Sequence, residues 1–151
     1  MSTYYLFGLD GVELSDEMPS VLGGKGAGLV AMCRLGLPVP PGLIYPVGTL
    51  LESVRANMNS DLTSLYAQGF HQFSVRSGAP VSMPGMMDTT LDLEDLGKIL
   101  AAVDQVLTSA QSTRALAYKR ANELPLDMGT AVIIQAMVHG DKDDDSGTGV
   151  T

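Results

Sequence analysis

The run TAVIIQAMV at residues 130–138 constrains the fold more than any other stretch of the chain. It is continuous, rich in β-branched residues and of strand length, so it reads as a strand covered on both faces. Such a strand needs a layer on each side, and the remaining sequence offers helices to build them. Apolar spacing predicts a helix from Gly26 to Leu35, stopped by Gly36 and the proline-rich turn LPVPPG at 37–42. Further helices are predicted over 49–57, 61–67, 93–107 and 114–124, the last ended by Pro125. Shorter strands are predicted at 3–7, 43–47 and 73–76, and the stretch from there to Met87 is predicted to be a loop. The expected architecture is α/β: one domain over 1–151, with a small mixed sheet flanked by helices.

Charge and cysteine content narrow the partners. A net charge of -8 with only nine Lys and Arg argues against a nucleic-acid groove, which needs clustered cations to neutralise phosphates. Cys33 is the sole cysteine, so no intramolecular disulfide is expected. The start MSTYYLFG lacks the charged and apolar regions of a secretory signal, and no apolar run approaches the ~18 residues of a membrane span. A cytoplasmic location, without membrane or nucleic-acid partners, is the expectation.

Two segments carry chemistry. In VLGGKGAGLVAM, residues 21–32, glycines surround Lys25 where a helix starts, so free backbone N–H groups and a cation can converge on an anion. The spacing is not that of a Walker A loop, and no Ser or Thr follows the lysine. An ordinary glycine-rich helix start with an exposed lysine fits the same letters. In SVRSGAPVSMPGMMDT, residues 74–89, Arg76 ends a strand and leads into a stiff loop of small residues, with Gly78, Pro80, Pro84 and Gly85. An arginine there can hold a phosphate in fork geometry, while the same loop also suits a structural crossover. Met83, Met86 and Met87 read singly as gap-filling core residues. His71 and His139 read as surface or loop side chains. Asp141, Asp143 and Asp145 lack the glycine and closing glutamate of an EF-hand, so the run reads as a solvated turn and no metal site is assigned.

Together these segments resemble the N-terminal ATP-binding domain of pyruvate phosphate dikinase, a relative of the ATP-grasp enzymes. LGGKGAGL followed by LGLPVPPG is similar to a wider group that includes phosphoenolpyruvate synthase and rifampicin phosphotransferase. RSGAPVSMPGMMDT resembles the dikinase branch in particular. A third block, RALAYKRANELPLDMGTAVIIQAMVHG followed by SGTGV, is similar to the dikinase in the same order. The resemblance implies a single ATP-grasp-type N-terminal lobe that binds ATP, with Mg2+ accompanying the nucleotide. It further implies that Lys25 and Arg76 contact phosphate, that Gln135, Met137 and Val138 line the adenine, and that Thr148 with Gly149 forms a phosphate-side turn.

The departures from the family pattern matter as much. The family places a long helical insert between the arginine loop and the RALAYKRAN-like helix, where this chain has only residues 90–113. The second half of the grasp with its metal-binding acids, the phosphohistidine domain and the pyruvate-binding barrel have no counterpart here. The resemblance therefore implies a nucleotide-binding pseudoenzyme, not a catalyst by itself, and no catalytic residue is assigned. The alternative is a non-catalytic interaction or inhibitor protein that uses the lobe as a surface, against an intact dikinase or by self-association. Residues 135–151 read as the stub of a following subdomain, whose unpaired strand edge would make a homo-oligomer or a protein partner the expectation.

Overall fold

The computed structural model describes residues 4–9, 19–78, 89–126 and 128–137. Its elements are β1 (Tyr5–Phe7), α1 (Pro19–Arg34), β2 (Gly42–Tyr45), α2 (Leu51–Asp61), α3 (Thr63–Ala67), β3 (Phe73–Gly78), β4 (Thr89–Leu93), α4 (Leu96–Ser109), α5 (Thr113–Ala121) and β5 (Ala131–Ala136). The five strands form one sheet in the order β1-β2-β5-β3-β4. The strand expected from TAVIIQAMV is its centre: all six residues of β5 are buried, between β2 and β3.

Alternation along the strands explains why β5 shows no polar period. Val132, Ile134 and Ala136 join Leu43, Tyr45, Phe73 and Val75 in a core covered by Val54 and Met58 of α2, Leu65 of α3, and Ile99, Val103 and Val106 of α4. Ala131 and Ile133 point the other way, into a smaller core with Phe7, Ile44 and the α1 residues Leu22, Leu29 and Val30. Both faces are covered, so the side chains of β5 are apolar on both, with Gln135 on the α1 face the exception.

The sheet is α/β as expected, but its pairing is antiparallel throughout rather than mixed. The helical crossovers do join parallel strands, β2 to β3 through α2 and α3, and β4 to β5 through α4 and α5. However, β5 fills the space between β2 and β3, and β3 that between β4 and β5. Splitting each parallel pair leaves every hydrogen-bonded neighbour antiparallel. β2 and β3 occupy both sides of β5, whereas the rest of the stub read at 135–151, on which an unpaired edge is expected, lies beyond Met137 outside the described residues. Association through β5 itself therefore lacks an edge to use.

β4 was not expected. Periodicity places a helix over 93–107, but Leu93 belongs to the strand, and Asp95 caps the helix by accepting from the N–H groups of Gly97 and Lys98. An aspartate there satisfies donors that the first helical turn leaves open, and so resets the start to Leu96. Lys119 of α5 is fully buried and donates to the carbonyls of Ala110 and Met128 at 2.6 and 2.7 Å. It ties the end of α4 to the approach of β5. Among the described residues no helix is long and apolar enough to cross a membrane.

Candidate functional site

The glycine-lysine segment forms around a kink. α1 leaves helical geometry at Gly23, with φ 75° and ψ 166°. The cause is tertiary: a Cβ on Gly23 would stand 1.8 Å from the carbonyl oxygen of Gly78, the last residue of β3. Only glycine tolerates both that φ and that approach. The helix resumes beyond it, so Lys25 stands in the first turn of the second helical piece, where backbone N–H groups lack intrahelical acceptors. Val21 on the near side of the kink accepts from Val47 N–H at 2.7 Å, which fixes the start of α1 to the end of β2.

Arg76 lies on the α1 face of β3, since Phe73 and Val75 face the opposite core. Its Nη2 donates to Gln135 Oε1 at 2.7 Å, and Gln135 Nε2 donates to the Pro40 carbonyl at 3.0 Å. The rigid turn LPVPPG thus supplies an acceptor that orients a glutamine, and the glutamine orients the guanidinium. Arg76 Nε is buried with no hydrogen-bond partner among the described residues. An orphaned buried donor of this kind costs about 1–3 kcal/mol.

Electrostatics couple the two cations unfavourably. Although Lys25 is an exposed residue, partial burial and then repulsion from Arg76 lower its ammonium pKa from the usual lysine value. Burial also lowers that of Arg76. No carboxylate pairs with either group among the described residues. Two like charges that feel one another, with no carboxylate paired to them among the described residues, are electrostatically suited to an anion.

The other expected site residues fall in different places. Gln135 is in the cluster, but both ends of its amide are engaged, by Arg76 and by Pro40. Met137 follows β5, half-buried, and its N–H donates to the Gln72 carbonyl at 2.9 Å. Val138, Thr148 and Gly149 lie outside the described residues, as do Pro80, Met83, Pro84, Gly85, Met86, Met87, His139 and the aspartates at 141, 143 and 145. His71 is exposed and stacks on Tyr66 with ring centroids 5.7 Å apart, away from the cations. Sequence patterns missed Pro40 and Thr130. Thr130, which accepts from Gly78 N–H at 3.0 Å, carried the weak signal of a hydroxyl at the mouth of an apolar run.

Residues 47–151 match the family described as pyruvate phosphate dikinase, AMP/ATP-binding domain. The chain belongs to that family. Among relatives, the pyruvate, phosphate dikinase of Rhizobium meliloti (strain 1021) is 41% identical over 108 residues, covering 59% of this chain and 12% of that protein. The chloroplastic pyruvate, phosphate dikinase of Flaveria pringlei is 40% identical over 108 residues, again 59% of this chain and 11% of the relative. The match to the Giardia intestinalis dikinase covers 90% of this chain and 27% of that protein, at 28% identity, so it reaches into the segment before residue 47. It runs over 242 residues, more than the 151 of this chain, so the Giardia dikinase carries residues within the matched span that have no counterpart here. The chain thus spans a small part of the dikinases it matches.

Proposed function

We propose that this lobe binds ATP with its phosphates between Lys25 and Arg76, and that the 151 residues bind the nucleotide without transferring phosphoryl by themselves. The observation that supports this is a lysine repelled by a neighbouring arginine, with no carboxylate paired to either among the described residues, on a lobe of a nucleotide-binding family. The donor set suits a polyphosphate: an ammonium as point charge, a guanidinium held in fixed orientation, and N–H groups of a restarted helix. Magnesium arriving with the nucleotide would neutralise phosphate charge. On the family pattern, Met137 and Val138 are proposed for the adenine side and Thr148 with Gly149 for a phosphate-side turn. Gln135 is proposed to act through Arg76, because an adenine contact would break the bonds it already makes.

Binding without transfer follows from what phosphoryl transfer requires. The reaction depends on in-line positioning and on metal ions held by carboxylates. Among the described residues, the groups around Lys25 and Arg76 are cations, amides and carbonyls, which suit an anion rather than a metal. Isothermal titration and thermal shift with ATP, with and without Mg2+, test the proposal. Nucleotide at a hundred times its dissociation constant stabilises a fold by about 2.7 kcal/mol. Absence of any shift at millimolar ATP would dispose of it, and steady phosphate release from ATP would remove the claim that the chain does not turn over.

A further inference from the structure

Lys25 and Arg76 flank a backbone contact, and Thr130 holds one side of that contact. Lys25 follows the kink at Gly23; Arg76 precedes Gly78, whose carbonyl lies against Gly23. The position of Gly78 therefore decides how far apart the two cations stand. Gly78 and Ala131 form the terminal pair of the β3–β5 ladder. There the hydroxyl of Thr130, 2% exposed, accepts from Gly78 N–H at 3.0 Å and donates to the Ala131 carbonyl at 2.8 Å. One buried hydroxyl thus closes the end of the ladder at the point where β3 meets the kink of α1.

We infer that Thr130 is a positioning residue of the phosphate site: its hydroxyl fixes Gly78, and through Gly23 it sets the separation of Lys25 from Arg76. Its consequence for binding rests on the nucleotide proposal above, whereas the geometry stands without it. Thr130→Val keeps the shape but removes the acceptor, so Gly78 N–H must move to find another partner or stay buried without one. Thr130→Ser keeps the acceptor and loses only a methyl group.

The test is titration of ATP and of tripolyphosphate into the wild-type chain, Thr130→Val, Thr130→Ser, and Thr130→Val combined with Lys25→Ala. Each variant is first shown to melt cooperatively. Thr130→Val is expected to weaken both ligands by about tenfold, since small misplacements of charged groups cost at least that much. Thr130→Ser should restore affinity, and in the Lys25→Ala background Thr130→Val should change it by less than about twofold, because the two act as one unit. Unchanged affinity in folded Thr130→Val, failure of serine to rescue, or the full tenfold loss in the Lys25→Ala background each overturns the inference. Should Thr130→Val not fold, Thr130→Cys, with a thiol that accepts weakly, should fall between serine and the lost site, and no loss there overturns it too. Were the wild-type chain to bind neither ligand, the nucleotide proposal would fall alone. NMR titration of the Lys25 ammonium then decides the positional claim: it should move toward an ordinary lysine in Thr130→Val and not in Thr130→Ser. No movement in either would refute it.

Discussion

The two faces of the sheet treat their polar groups in opposite ways. Beneath α2, α3 and α4, polarity is paired off inside the protein: the Tyr45 hydroxyl, in a wholly buried residue, donates to the buried Asp61 carboxylate at 2.8 Å. Burial and that bond push the Tyr45 pKa well up from its ordinary value. Beneath α1 the chain leaves its charges open, with Arg76 Nε unpartnered among the described residues and Lys25 repelled by Arg76. A face with internally matched charges is complete as folded. On the proposed reading, the face that carries Lys25 and Arg76 trades some stability for a ligand, as binding sites do and cores do not.

The most direct way to break this contrast is to remove both cations. Lys25→Ala with Arg76→Ala should cost roughly 3–6 kcal/mol of ATP binding, taking about 1.5–3 kcal/mol for each charge-assisted contact. Cooperative unfolding should be retained, and calorimetric titration checks the loss; retained affinity would place the site elsewhere. Next in size is Gly23→Ala, expected to destabilise the fold by about 3 kcal/mol in urea unfolding, because its Cβ meets the Gly78 carbonyl and its φ is positive. A neutral result would mean that α1 does not need its kink.

Tyr45→Phe probes the other face. It removes the donor to a buried carboxylate and should cost about 1–3 kcal/mol of stability, with ATP affinity unchanged. A loss of affinity as large as the loss of stability would show that the two faces are not separate.

The smallest expected effect sharpens the comparison through pH. The folded-state pKa of Lys25 lies below its unfolded value, so the charged ammonium destabilises the fold, fully so below the folded pKa. The penalty fades as pH rises through that pKa toward the ordinary lysine value of 10.5. Lys25→Met should therefore melt slightly above the wild type at neutral pH. That difference should shrink toward pH 10, and saturating ATP at neutral pH should reverse it. A variant that melts below the wild type without ligand would show that the lysine is already paired.

Much of the fold was legible locally. The central strand, the helices over 49–57 and 61–67, and the strand at 73–76 are all present, because burial and period act on neighbouring residues. β4 was missed because apolar Leu93 fits both a strand and the helix after it, and the cap at Asp95 decided between them. Arg76 and Lys25 are visible as motifs, whereas the bond from Arg76 to Gln135, 59 positions away, is not. A bond over that distance leaves no periodic trace.

The amino-acid sequence by itself determined which segment would be buried on both faces, which glycines a helix start would need, and which two cations were candidates for phosphate. Those are properties of short stretches, set by side-chain period, backbone freedom and charge. Tertiary structure alone decided that β5 would divide β2 from β3 and that Gly23 would rest on Gly78. Strand order and close backbone approach depend on how distant segments exclude one another in space, and that contact sets the motif of Lys25 against the strand of Arg76.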